Sequence, residues 1–197
     1  MEFAKVTDLP FDARPQVSAI FTEGFYEGGF KHIDRDKAVI ARALAHMFIL
    51  DHFYAAIEGE EILAFIAITD KKPPPIRLDK ALLRRELGFI RGSIVHWALV
   101  KQLINRPYPF TVTQDMGSVE FVATAPNHRG KGIAKALLSH VMEERQLPYT
   151  KYVLEVIDNN SSAIKLYENL GFKEFTRTKA PSRFLDFKYL LYMKRSA

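Results

Sequence analysis

The sequence predicts an α/β (α+β) chain folded as one domain, and three stretches predict it. Residues 119–124 alternate as a strand and break at Ala125-Pro126-Asn127, because Pro126 has no N–H to give a ladder. The chain then passes through Arg129-Gly130-Lys131-Gly132 into a helix with the apolar stripe Ile133, Leu137, Leu138 and Val141. Residues 151–157 form a second β-branched and aromatic strand, followed by Asp158-Asn159-Asn160-Ser161 as turn and cap and by a short helix over 162–170 that Gly171 stops. Residues 52–57 and 62–69 are strands joined by Glu58-Gly59-Glu60-Glu61, a hairpin turn whose glycine tolerates positive φ.

The remaining elements follow in order. Residues 3–7 read as a first strand and 11–25 as a helix with Val17, Ile20, Phe21 and Phe25 on one face. Gly24, Gly28 and Gly29 surround Tyr26 and Phe30 in an aromatic-rich connection. Asp34 or Asp36 caps a second helix to about Phe48, with Ile40, Ala43, Leu44 and Met47 inward. Lys71-Lys72-Pro73-Pro74-Pro75 is a stiff, extended spacer. From Asp79 a long helix carries the stripe Leu83, Leu87, Ile90, Ile94, Trp97, Val100 and Ile104. Gly88 and Gly92 each weaken it by about 1 kcal/mol relative to alanine and mark a kink or a break. Asn105-Arg106-Pro107 closes it. The helix after Gly132 is expected to end near Gln146. The last two strands are placed at 173–178 and 184–193, with Ala180-Pro181-Ser182 between them.

Composition bounds the function. A chain of 197 residues is one domain, 1–197, and buries roughly 70% of its unfolded surface, so it needs no staples. The absence of cysteine excludes disulfides, thiolate metal sites and a cysteine nucleophile. The six histidines show no metal spacing, so no metal is expected. With no apolar leader and no apolar run near about 18 residues, the chain reads as soluble, cytoplasmic and without membrane contact. The net charge of +5 is uneven: residues 71–106 hold nine Lys/Arg against Asp79 and Glu86, a net of +7. Lacking interleaved exposed aromatics, this segment reads as a solvated basic face rather than a nucleic-acid footprint.

A strand, a tight glycine loop and a helix N-terminus make an anion cradle, since first-turn N–H groups have no intrahelical partner and the dipole adds positive charge. A Walker A loop needs a hydroxyl after Gly-Lys, but Gly132 follows Lys131; a dinucleotide fingerprint needs a third glycine where Lys135 stands. Arg129-Gly130-Lys131-Gly132-Ile133-Ala134 resembles instead the Arg/Gln-x-x-Gly-x-Gly/Ala pyrophosphate loop of the GNAT superfamily of acyltransferases. The later run LEVIDNNSSAIKLYENLGF, residues 154–172, resembles that superfamily's second signature, closest to the ribosomal-protein N-terminal acetyltransferases, with Glu155, Asn160, Ala163, Tyr167, Gly171 and Phe172 at matching spacing.

The resemblance implies a mixed, mostly antiparallel sheet of about seven strands, splayed between the fourth and fifth, with helices on both faces. Residues 71–116 become a helical insertion between the third and fourth strands. It also implies acetyl-CoA as co-substrate. Pantetheine would meet the backbone of Val122, Ala123 and Thr124, one N–H of that strand would meet the thioester oxygen, and the pyrophosphate would sit on the amides of residues 130–135, from Gly130, Lys131, Gly132, Ile133 and Ala134 to Lys135, with Arg129 opening the loop and Asn160 contacting the cofactor. Phe25, Tyr26 and Phe30 become acceptor-pocket candidates.

A primary amine with a pKa near 10.4 needs a base, and a carboxylate can serve. Glu155 matches the family's base position; Glu120, on the fourth strand where it should share a face with Val122, is the alternative. Tyr167, a phenol with an ordinary pKa near 10, stands where the family places the donor to the departing thiolate. The implied activity is transfer of an acetyl group to the primary amine of a small molecule or a protein, in a ternary complex. The alternative is a non-catalytic acyl-CoA-binding regulator. The insertion's stripe packs on the domain or on a second copy, giving a homodimer.

Overall fold

The computed structural model describes residues 1–70, 74–105, 107–143, 147–180 and 186–196. The described strands are β1 (Glu2–Lys5), β2 (Phe53–Glu58), β3 (Glu61–Thr69), β4 (Met116–Thr124), β5 (Lys151–Ile157), β6 (Lys173–Lys179) and β7 (Tyr189–Ser196). They form one sheet in the order β1-β2-β3-β4-β5-β7-β6. Every pairing is antiparallel except β4 with β5. The hairpin glycine, Gly59, has φ of 60°, as a tight turn between β2 and β3 requires.

Helices cover both faces. On one lie α1 (Arg14–Phe25), α2 (Lys37–Leu44), α3 (Lys80–Leu87) and α4 (Phe89–Leu99); on the other lie α5 (Ile133–Glu143) and α6 (Ser161–Asn169). The first face packs Val17, Ile20, Phe21, Ile40, Leu44, Leu83 and Val95 against Phe53, Phe65 and Phe121. The second packs Leu137, Leu138, Val141 and Tyr167 against Ile66, Leu154 and Val156. Asp36 is the residue that caps α2, accepting from the N–H of Ala38 at 2.8 Å. Such a cap is worth about 1 kcal/mol.

The C-terminal boundary differs from the expectation. The last strand starts at Tyr189 and runs to Ser196, later than 184–193; Phe184 and Leu185 lie outside the described residues, as do Lys71, Lys72, Pro73, Arg106, Pro181, Ser182 and the expected helix end at Gln146. α5 is described to Glu143. The long helix from Asp79 is broken into two, the second of the two outcomes expected at its glycines, because Gly88 adopts φ 82° and ψ 161°, a conformation essentially closed to other residues.

That break changes which side chains face inward. Asp79 caps α3 through the N–H groups of Ala81 and Leu82, and Leu83 and Leu87 are buried as expected. Past Gly88, α4 turns back across α3, and its inward face is Gly92, Val95 and Leu99. The expected stripe residues Ile90, Ile94 and Trp97 are instead 72%, 60% and 63% exposed, with Phe89 beside them at 70%. Arg84 lies over the Phe89 ring and Lys101 over Trp97. The basic segment therefore does carry exposed aromatics, contrary to the sequence reading.

Gly92 is set against the backbone of α3: a Cβ there would stand 2.6 Å from Arg84 N and Cα and from Leu83 O. In an open helix Gly92→Ala would stabilise by about 1 kcal/mol, but overpacking costs about 1–3 kcal/mol. The variant is expected to lower the urea midpoint at unchanged m-value.

His46 ties α2's end to the start of α3, its Nε2 accepting the N–H of Asp79 at 3.1 Å, which only a neutral ring can do. Burial pulls its pKa below 6.5, opposed by the Ala43 carbonyl and the Asp79 carboxylate and assisted by Arg85. The neutral ring's contribution is complete above about pH 6.5 and is lost as pH falls from there through the lowered folded value. Thermal midpoints measured from pH 7.5 to 5 should fall for the native chain, with that component missing in His46→Gln.

Candidate active site

The two central strands meet over a short distance. β4 and β5 pair from Met116 with Lys151 to Val119 with Leu154 and then part. β4 continues on β3, with Val122, Ala123 and Thr124 opposite Ile66, Phe65 and Ala64; β5 continues on β7 to Ile157 opposite Leu190. Beyond Val119 one edge of β4 therefore pairs with no strand among the described residues. The parting coincides with a bulge: three steps along β4, Val119 to Val122, face two along β3, Ile68 to Ile66. The alternation shifts by one, so Val119 and Val122 both pack toward the α5 side while Phe121 and Ala123 pack toward α1. Glu120 and Val122 consequently do not share a face, which corrects the expectation.

The gap opens into a groove of about 870 Å³, within the usual range for ligand pockets. Its floor is Glu120, Phe121, Val122, Ala123 and Thr124 of β4. Glu155, Val156 and Ile157 of β5 form one wall. One end is the glycine loop. Gly130 and Gly132 both have φ of 76°, turning successive backbone N–H groups outward at the start of α5, and Ala136 is the donor to the Gly132 carbonyl. His128, Arg129, Gly130, Gly132, Ile133 and Ala134 line this end; the Lys131 and Lys135 side chains lie outside the walls and are exposed. Arg129 folds back, donating from Nε to the Thr124 carbonyl and from a terminal nitrogen to the Glu23 carbonyl, each at 3.4 Å, so it braces the loop while lining this end of the groove. His128 contacts Glu61 at 3.1 Å.

Asn160 caps α6, its Oδ1 accepting from Ala163 N and Ser162 Oγ, and also lines the groove. Tyr167, four residues into that wall after Ala163, is buried against Phe172 and also reaches the groove. Burial pushes its phenol above its usual value of 10, so the group stays protonated throughout the working pH range, and it is a weaker acid than the unperturbed phenol of the sequence reading.

Of the aromatic candidates, Phe25 lines the groove. Phe30 backs it at 6.4 Å, and Tyr26 turns away toward Arg35 and Lys37. The sequence reading missed Tyr108, Ser118 and Leu103, which also line it. Tyr108 donates to Glu120 Oε1 at 2.7 Å and meets Ser118 Oγ at 2.8 Å. Its phenol is pushed well above 10 by burial and by the charges of Glu120 and Glu155. A tyrosine after a proline carries no signal of its own, and only the fold brings it to β4.

An open strand edge, a helix N-terminus with two positive-φ glycines, two carboxylates and a buried phenol thus lie along one groove. Residues 16–172 match the acetyltransferase (GNAT) family, and the chain belongs to that family. It is 37% identical over 71 residues to the ribosomal protein bS18-alanine N-acetyltransferase of Escherichia coli (strain K12), a match covering 34% of this chain and 48% of the relative. The chain thus spans about half the length of the curated relatives it matches. Its fold resembles an N-acetyltransferase from Staphylococcus aureus Mu50 (TM-score 0.62, 18% identity, 99% of this chain and 100% of that one). It also resembles a ribosomal-protein-alanine N-acetyltransferase from Brucella melitensis (TM-score 0.61, 16% identity, 100% of both). These likenesses bear out the expected fold: a mostly antiparallel seven-stranded sheet with one parallel pair and helices on both faces.

Proposed function

We propose that this chain transfers an acetyl group from acetyl-CoA to a primary amine by direct attack in a ternary complex. The observation that carries the reading is the parting of β4 and β5, which leaves a free strand edge leading to a glycine-turned helix N-terminus. The residues fit the carrier: the amides around Gly130–Ala134 suit a pyrophosphate, and the backbone of Val122, Ala123 and Thr124 suits a pantetheine amide. Acetyl-CoA supplies an activated thioester. The protein's work is orientation, worth about 7–11 kcal/mol, and proton handling.

A carboxylate at the gap, Glu155 or Glu120, takes one proton from the ammonium and returns it to solvent, which frees the nitrogen lone pair to form the C–N bond as the C–S bond breaks. Tyr167 gives its phenolic proton to the departing sulfur and is reprotonated by the second proton, which the nitrogen loses as it becomes an amide. Its raised pKa makes it a persistent donor, and a thiolate in the same buried site is also harder to keep ionised, so the match of proton affinities is better than solution values suggest. The acceptor is a small amine or a protein amine; the activity named for the Escherichia coli relative favours a protein amine. Such an enzyme belongs in the cytoplasm with its acyl donor.

The test is thiol release from acetyl-CoA with a panel of primary amines and free-N-terminus peptides, on native chain and Tyr167→Phe. The variant is expected to bind acetyl-CoA with unchanged affinity and to lose about 100-fold or more in kcat. Equal turnover in both removes Tyr167 from the mechanism, and no acetyl-CoA binding removes the reading.

A further inference from the structure

We infer that Tyr108, carried by the segment between β3 and β4, is a positioning residue for the acceptor: it fixes Glu120 so that this carboxylate seats the incoming ammonium, leaving Glu155 across the gap to take the proton. The inference rests on the acyltransferase reading of the groove and adds to it a division of labour between two carboxylates that the family signature leaves open.

The geometry has three parts. Glu120 Oε1 accepts from Tyr108 at 2.7 Å and from Ser118 Oγ at 2.8 Å, and the two hydroxyls are themselves 2.8 Å apart. With both hydroxyl protons given to this one carboxylate oxygen, the oxygen is held in place and the rotation of the group is restricted, leaving its second oxygen to meet a cation. A carboxylate held by two hydroxyl donors is a good anion to pair with a cation. Fixing it before the acceptor arrives reduces what must be ordered on binding.

Tyr108 is itself braced from the far side of the gap. Its ring lies 5.0 Å from Phe110, and Phe110 packs on Phe175 at 5.0 Å and on Tyr192 at 5.6 Å. Tyr192 is the cross-strand partner of Glu155, so the two share one face of the sheet. The chain from Tyr108 to Phe110 therefore bridges the place where β4 and β5 part, with Glu120 held at one end and Glu155 standing beside the other. The charges of both glutamates bear on the Tyr108 phenol, so it lies near each. Phe25, Phe121 and Leu103 add apolar lining to the same groove, and a desolvated ammonium there needs a fixed counter-charge.

The test uses the full chain, acetyl-CoA and the amine or peptide that the native protein turns over fastest in a mass-spectrometric panel. Tyr108→Phe keeps the ring and its packing and removes one donor. It is expected to raise KM for the amine about tenfold, with KM for acetyl-CoA and the thermal midpoint unchanged and kcat altered less than KM. Ser118→Ala, which removes the other donor, should move the same constant in the same direction. Glu120→Gln should act on amine KM, whereas Glu155→Gln should act on kcat. An unchanged amine KM in both Tyr108→Phe and Ser118→Ala overturns the proposal, as does a fall in kcat for Glu120→Gln at constant KM. A rise in the acetyl-CoA KM of Tyr108→Phe also overturns it, because the tyrosine would then be shaping the groove as a whole. No turnover of any amine by the native chain, with acetyl-CoA still bound, overturns the transfer reading and this proposal together, whereas turnover with no effect at Tyr108 overturns only the latter.

Discussion

The structure depends on where one run of hydrogen bonds stops. β4 and β5 are the sheet's only parallel neighbours among the described residues, and they pair for four residues each before separating. Buried backbone groups are nearly always satisfied, so a free edge in the middle of a sheet is costly unless something else bonds to it. Here the opening is held from both sides. β4 is locked to β3 and β5 to β7, and opposite faces of the sheet carry separate cores, so neither strand can swing across to close the gap. The bulge between Val119 and Val122 reinforces this by sending Phe121 into the α1 side while Val122 stays on the α5 side.

From that constraint the positions of the candidate groups follow. Glu120 and Glu155 are the first residues beyond the last paired positions on each strand, so both stand at the apex of the gap. The loop after β4 can reach α5 in so few residues because Gly130 and Gly132 take positive φ, and the helix start then faces the groove. α6 follows β5 directly, capped by Asn160, which brings Tyr167 to the opposite wall.

Much of this was legible in the sequence, because the two strand–turn–helix units are local. Pro126 ending β4, the paired glycines, the Asn160 cap and the Gly171 stop are each set by nearest neighbours, and the alternation within 151–157 needs no tertiary information. Phase errors arose where a single residue resets a period. The β4 bulge moved Glu120 off the Val122 face, and Gly88 turned one apparent stripe into two helices with Ile90, Ile94 and Trp97 outside. The bulge carries no mark in the linear sequence, whereas Gly88 marks the break but not the direction in which α4 leaves it. Tyr108 was invisible for a different reason: its role comes from a contact across twelve residues with Glu120 and a ring stack onto β6 and β7, which no local pattern encodes.

The most direct measurement of the central claim is backbone amide hydrogen exchange with and without acetyl-CoA. The account predicts slowed exchange confined to Val122 and Thr124 on β4, whose N–H groups face the gap because Ala123 and Ala125 turn theirs toward β3, and to the amides from Gly130 to Lys135, since those N–H groups gain partners when the gap is filled. Unchanged exchange there, or protection appearing instead around the separate pocket lined by Phe11, Phe48 and Arg77, would contradict it.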